Sequence, residues 1–118
     1  MSDDNVIVTK SKSFALRVIR LYQWMVRERQ EYVLSKQVLR SGTSIGANVK
    51  EGARAQSKAD FVAKMSIALK EAAETEYWLE LLHESDYLEQ THFESIYADN
   101  QELIKLLMSI IKTAKKND

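Results

Sequence analysis

Apolar side chains recur every three or four residues along four segments of the chain, a period typical of amphipathic α-helices. The segments cover about residues 13–29, 34–54, 58–85 and 92–115. The gaps between them are short, which favours antiparallel packing of consecutive helices. The sequence therefore predicts a single all-α domain over residues 1–118, folded as an antiparallel up-down-up-down four-helix bundle.

The composition supports this fold and indicates the cellular compartment. The 118 residues include no proline, three glycines and no cysteine. Without cysteine the chain has no disulfide or thiolate, which fits a reducing compartment. The acidic start MSDDNVIV lacks the basic and apolar regions of a signal peptide, and no apolar stretch is long enough to span a membrane. We expect a cytoplasmic protein that does not enter membranes.

All three glycines lie in the stretch RSGTSIGANVKEG, residues 40–52, which could be a phosphate-binding loop or a helix. The loop motif G-x-x-x-x-G-K-[ST] is absent. At about 100° per residue, apolar side chains gather on one face and basic ones on the opposite face. The stretch is therefore predicted to be helical through Gly42 and Gly46, two glycines that would let a neighbouring helix approach closely. We expect Gly52 to help end this helix.

Two capping boxes are predicted at the starts of the third and fourth helices. The first is Ser57-Lys-Ala-Asp60, and the second is Thr91-His-Phe-Glu94. In such a box, the first side chain accepts a hydrogen bond from the backbone N–H three residues later.

Charge is distributed unevenly along this neutral chain. Residues 1–58 carry 11 Lys and Arg against 5 Asp and Glu, whereas residues 59–118 carry 6 against 12. A basic face could bind a phosphate polymer, or the two halves could neutralise each other within the bundle or between subunits. The candidate nucleic-acid-binding residues are the stripe on the second helix and two arginines of the first: Lys36, Arg40, Lys50, Arg54, Arg20 and Arg27.

Residues for catalysis or metal binding are scarce, because the chain has only two histidines and no cysteine. Glu80-Leu-Leu-His83 and Glu89-Gln-Thr-His92 have the spacing found in helix-bundle di-iron proteins. The second pair lies in a turn and at a helix start, so we interpret both pairs as solvated charges. We expect no metal, no cofactor and no enzymatic activity. Asn48 and Glu76 border the apolar faces, and we predict that they form a polar lock between the second and third helices.

The segment SIGANVKEGARAQSKADFVAKMSIALKEAAETEYWLELL resembles a four-helix-bundle family first noted as proteins encoded in intervening sequences of 23S ribosomal RNA genes. The family pattern S-[IV]-x-x-N-[IV]-x-E-G is matched by Ser44, Ile45, Asn48, Val49, Glu51 and Gly52. A following pattern, I-A-x-x-x-A-x-E-x-E, is similar to Ile67, Ala68, Ala72, Glu74 and Glu76. The chain departs from the family at Lys70-Glu71, where small residues are common.

The resemblance implies a small cytoplasmic bundle that assembles as a ring, commonly a homopentamer. It also extends to accessory variability-determinant proteins of diversity-generating retroelements, which bind nucleic acid and a reverse transcriptase. Independently, apolar residues outside the core faces suggest subunit contacts; they are Ile67, Trp78, Leu81, Ile19 and Val26. Two functions follow as hypotheses: a nucleic-acid-binding oligomer, or a structural or adaptor oligomer that binds a protein.

Overall fold

The computed structural model describes residues 3–117, with side chains from residue 5 onward, and forms four α-helices. They are α1 (Asp3–Arg29), α2 (Leu34–Ala53), α3 (Lys58–Glu84) and α4 (Gln90–Lys116). Each helix packs on the next and α4 closes on α1, whereas the backbones of the diagonal pairs lie farther apart throughout the described range. The bundle measures 48 × 22 × 21 Å. The predicted antiparallel four-helix bundle is confirmed.

Three helices begin and end within two residues of their predicted bounds, but α1 begins ten residues earlier than predicted. The first twelve residues are mostly polar, so their apolar period is weak. Ile7 and Ser11 are nevertheless buried, and with Phe14 and Val18 they continue one core-facing row at spacings of four and three residues. This row holds the early turns of α1 against the bundle.

Two glycines allow α2 to lie close to α1, as predicted. A Cβ on Gly42 would lie 2.8 Å from Cγ2 of Val18, and one on Gly46 would lie 3.3 Å from the carbonyl oxygen of Ser11. Neither distance leaves comfortable room for a side chain. The helix runs without interruption through both positions, which confirms the helical interpretation of the glycine-rich stretch.

Gly52 has a different role from the one predicted. It lies inside α2, and none of the described glycines has a positive φ. A Cβ at this position would lie 2.8 Å from Cε of Met65 and 3.2 Å from Cβ of Lys64. The prediction that Gly52 ends the helix is therefore wrong. Its missing side chain makes room for the start of α3.

One of the two predicted caps is present. The Ser57 hydroxyl accepts a hydrogen bond from the backbone N–H of Asp60 at 3.1 Å, which caps α3. The predicted box at the start of α4 is wrong, because the helix already begins at Gln90. Thr91 and Glu94 consequently lie inside its first turns, and the side chain of Gln90 donates to the Glu94 carboxylate at 2.7 Å.

The start of α2 is capped by a residue that the sequence analysis did not identify. The buried Glu31 carboxylate accepts hydrogen bonds from the backbone N–H groups of Val33, Leu34 and Ser35 at 3.1, 3.0 and 2.7 Å. Burial alone would raise the pKa of Glu31, but the bonds from Ser35, Leu34 and Val33 together outweigh it and hold the pKa below its ordinary value. A charged carboxylate thus satisfies three N–H groups at the positive end of the helix.

None of the helices in the described part of the chain is long and apolar enough to cross a membrane.

Candidate functional site

The outer face of α2 presents a row of cations to solvent. Lys36, Lys50 and Arg54 are exposed, and their side chains make no ion pair or hydrogen bond with other residues in the range 3–117. At about 1.5 Å per residue, the row from residue 36 to residue 54 is about 27 Å long. Its middle carries the small side chains of Thr43 and Ala47, so a ligand backbone can approach the helix there.

Arg40, the fourth predicted member of this stripe, is held in an ion pair between helices. Its guanidinium lies 3.4 Å from the Glu71 carboxylate and also donates to Glu74, and both partners belong to α3. Glu74 additionally accepts a hydrogen bond from the Trp78 indole at 3.2 Å. Arg40 therefore links α2 to α3, and the three other cations carry the unbalanced charge of the stripe.

The two arginines predicted on α1 do not join the α2 stripe. Arg20 lines a groove between α1 and α4 on the side of α1 away from α2. Arg27 lies two helical turns further on the same face, with its Nε 3.7 Å from the carboxylate of Glu28. A neighbouring arginine, Arg17, is paired with Asp99 of α4 at 2.7 Å. The structure thus separates the predicted cations into two surfaces.

The polar motif residues of α2 bond within α2 or to α3. The Asn48 amide donates to the carbonyl and the hydroxyl of Ser44 at 2.9 and 3.2 Å, within its own helix. Glu51 pairs with Lys64 of α3 at 3.2 Å. Asn48 stabilises α2 locally, whereas Glu51 ties α2 to α3.

The polar lock that was predicted between Asn48 and Glu76 is wrong, because Asn48 bonds within α2. The buried link between α2 and α3 is instead a hydrogen bond of 2.8 Å between the hydroxyls of Ser41 and Thr75. Glu76 faces α4, where its charge acts on Tyr97. Ser41 and Thr75 are both buried, so each hydroxyl satisfies the other where α2 meets α3.

The side chains with di-iron spacing have other partners. Glu80 accepts a hydrogen bond from the Tyr97 hydroxyl at 2.7 Å, and the His83 ring lies 2.8 Å from the side-chain oxygen of Gln90. The bond to Glu80, burial and the charges of Glu76 and Glu80 raise the pKa of Tyr97 to about 12. Within residues 3–117, no three His, Asp or Glu side chains are placed to hold a metal ion together.

A second row, apolar except for Lys12, runs along α1 outside the core. We call it the α1 outer seam; its members follow spacings of four and three residues: Val8, Lys12, Ala15, Ile19, Tyr22 and Val26. Ile19 is 36% exposed. Ser11 and Val18 face the glycines of α2, and each seam residue next to them, Lys12 and Ile19, follows by one position. The seam therefore lies on α1 beside the contact with α2, along one edge of α2.

A matching row, the α3 outer seam, runs along α3. Its members repeat the same spacing but include two charged side chains, Lys70 and Glu74: Ala63, Ile67, Lys70, Glu74, Tyr77 and Leu81. Ile67 is 43% exposed and Tyr77 54%. Glu74 contacts Arg40, so this seam borders the other flank of α2. A spacing of alternately three and four residues is the one by which two helices pack in a coiled coil. The basic face of α2 lies between the α1 outer seam and the α3 outer seam.

These features define an antiparallel four-helix-bundle protein whose second helix carries the pattern S-I-x-x-N-V-x-E-G. The chain belongs to the family of 23S rRNA-intervening sequence proteins, whose model matches residues 3–109. A similar solved structure is a protein of unknown function from the S23 ribosomal protein family of Bacteroides thetaiotaomicron VPI-5482. The two chains are 57% identical, the match covers 94% of this chain and 99% of that one, and the TM-score is 0.93. No curated protein matches significantly.

Proposed function

We propose that this protein is a non-enzymatic oligomer that binds RNA or DNA through the outer face of α2. The observation that carries the proposal is the charge of this helix. α2 and its C-cap hold four cations and one acid, Glu51, which is already paired with Lys64. Lys36, Lys50 and Arg54 are therefore left to attract phosphates, although the whole chain is neutral.

Oligomerisation would strengthen this interaction. Each copy repeats the same three cations, and affinity for a nucleic acid grows with the number of phosphates that are neutralised. Because both outer seams flank α2, subunits packed through them would bring the basic faces of successive copies close together. The α1 and α3 seams are different surfaces, so their pairing is heterologous and can close a ring. We propose a cytoplasmic homopentamer, the assembly that the family resemblance implies.

The binding test compares two variants of equal net charge. The α2 triple variant carries Lys36→Gln, Lys50→Gln and Arg54→Gln, and glutamine keeps the helix propensity of lysine and arginine. Binding to a fluorescein-labelled single-stranded RNA, and separately to a DNA, is measured by fluorescence anisotropy at low salt. Wild type is expected to bind both with little sequence preference, and the α2 triple variant is expected to lose most of this affinity.

The matched control, the α4 triple variant, carries Lys105→Gln, Lys112→Gln and Lys115→Gln, three exposed cations of α4. It is expected to retain wild-type binding. An equal loss in both variants would show that net charge alone acts, and absence of binding by wild type would refute the proposal directly.

A structural or adaptor oligomer is the second candidate, and the exposed apolar residues of the α3 outer seam favour it. In that case the partner is a protein, with a reverse transcriptase as the class that the resemblance implies. Both functions require self-association. Ile67→Glu and Trp78→Glu each place a charge in an apolar contact, and both are expected to reduce the assembly to a smaller species.

Light scattering at micromolar concentration measures this directly, with Lys105→Glu on α4 as the control that keeps its mass. A wild-type mass equal to the monomer, 13.6 kDa, would contradict any oligomer. An intact oligomer that binds neither RNA nor DNA would favour the adaptor.

A further inference from the structure

An open groove lies between α1 and α4, the two neighbouring helices that approach each other least closely. Its volume is about 680 Å³, within the range of about 300–1,000 Å³ typical of small-molecule sites. The floor is apolar and includes Phe14, Leu21, Trp24, Ile96 and Leu103. Phe14, Ile96 and Leu103 belong to the core, whereas Leu21 and Trp24 are partly exposed, so apolar surface is available inside the groove.

Two ion pairs cross the groove from α1 to α4. Lys10 pairs with Glu102 at 2.6 Å, and Arg17 pairs with Asp99 at 2.7 Å. The two pairs lie two helical turns apart, about 10 Å along α1. A partner helix, with a diameter of about 10–12 Å, would have to break both pairs to reach the floor. A slender ligand is narrower than a helix and does not require both pairs to break.

One end of the groove carries an uncompensated positive charge. Lys10 and Arg17 are neutralised by their acidic partners, but exposed Arg20 makes no ion pair with the residues described. Trp24 and His92 stand beside this end, with ring centroids 6.5 Å apart and ring planes at 78°. The groove thus combines an apolar floor with one cation that is unpaired among the described residues, Arg20, close to the aromatic rings of Trp24 and His92.

We propose that this groove binds an amphiphilic anion, a carboxylate or sulfonate with a slender alkyl or aryl group. The anionic head would pair with Arg20, and the apolar part would lie against Leu21, Trp24 and Ile96. The site faces away from the cations of α2, so it acts independently of nucleic-acid binding.

The test uses dodecanoate below its critical micelle concentration. Trp24 fluorescence reports binding in a Trp78→Phe background, which leaves Trp24 as the sole tryptophan. We expect a saturable change for dodecanoate and none for dodecyltrimethylammonium, whose tail is the same but whose charge is opposite. Arg20→Gln is expected to weaken binding on the order of tenfold or more, since a hydrogen bond to a charged group contributes about 1.5–3 kcal/mol. Arg27→Gln, on the same face but outside the groove, is the matched control.

A second variant tests the apolar trough. Ser13 lines the rim and is exposed, so Ser13→Phe obstructs the groove without altering the core. It is expected to abolish the response while light scattering shows an unchanged mass. Equal responses to both detergents, or no effect of Arg20→Gln and Ser13→Phe, would overturn the proposal, as would a change of mass on adding dodecanoate. Loss of dodecanoate binding in the α2 triple variant would also overturn it.

Discussion

Replacing Glu31 with alanine removes the carboxylate that accepts three backbone N–H groups at the start of α2. A helix cap contributes about 0.5–2 kcal/mol to stability. The N–H of buried Ser35 would additionally be left unsatisfied, at a cost of about 1–3 kcal/mol. Val33 is exposed, and water can replace its bond. We expect Glu31→Ala to lower the free energy of unfolding by about 2–4 kcal/mol, and Glu31→Gln, which keeps one acceptor oxygen, by about 1–2 kcal/mol.

Urea denaturation followed by circular dichroism measures these changes, at one fixed protein concentration because self-association alters apparent stability. Glu28→Gln is the control, since Glu28 is exposed and its pair with Arg27 is long at 3.7 Å. It is expected to change stability by less than about 0.5 kcal/mol. The cap would not contribute as described if Glu31→Ala stayed within that range, or if Glu28→Gln matched its effect.

The contribution of Glu31 should also depend on pH. Its pKa in the folded protein is lower than the ordinary value of 4.5, so the folded state binds this proton less readily than the unfolded state. The stabilisation is therefore complete above about pH 5 and is lost as pH falls through the folded-state pKa. The stability difference between wild type and Glu31→Gln should be constant from about pH 5 to 7 and shrink below about pH 4.5. A difference that grew towards low pH would contradict this sign.

Two further variants test the contacts of α2. Gly42→Ala should lower the free energy of unfolding, measured in urea, by about 1–3 kcal/mol, because the new Cβ would lie 2.8 Å from buried Val18. This cost exceeds the gain of about 1 kcal/mol in helix propensity that alanine brings. A stabilised variant would contradict the close packing of α1 and α2. Glu71→Gln combined with Glu74→Gln should release Arg40 and increase the affinity for single-stranded RNA, with a salt slope steeper by about 0.7 for one added phosphate contact. An unchanged affinity and slope in the anisotropy assay would show that Arg40 does not reach the nucleic acid.

The helices themselves could be predicted because their apolar periods are long and strong. The glycines of α2 did not obscure this signal, since Val38, Ile45 and Val49 stay on one side of the cycle and the lysines on the other. The first turns of α1 were missed because Ile7 and Ser11 alone mark the core side in a polar segment. The cap of α2 was missed for a different reason. Glutamate is not a preferred capping residue, and Glu31 reaches the helix from three residues before its start.

The candidate site was less accessible to prediction, because it depends on distances between helices. The basic row of α2 follows from the sequence alone. The pairing of Arg40 with Glu71 depends on how α3 is rotated against α2, and no local pattern sets that rotation. The groove between α1 and α4 arises from the wider separation of these helices, which a sequence period does not report. The hydrogen bond between Ser41 and Thr75 was predicted for Asn48 and Glu76 instead. Both hydroxyls are buried where α2 meets α3, a position that depends on how the two helices pack.

The salt dependence of RNA binding shows whether the outer face of α2 binds phosphates. The measurement is the slope of log affinity against log salt for wild type, the α2 triple variant and the α4 triple variant on one single-stranded RNA. Each lost phosphate contact flattens this slope by about 0.7, so three lost contacts from one engaged subunit should flatten it by about 2. We expect that change in the α2 triple variant and no change in the α4 triple variant. Equal slopes for wild type and the α2 triple variant, with the assembly intact, would show that these three cations do not contact the nucleic acid.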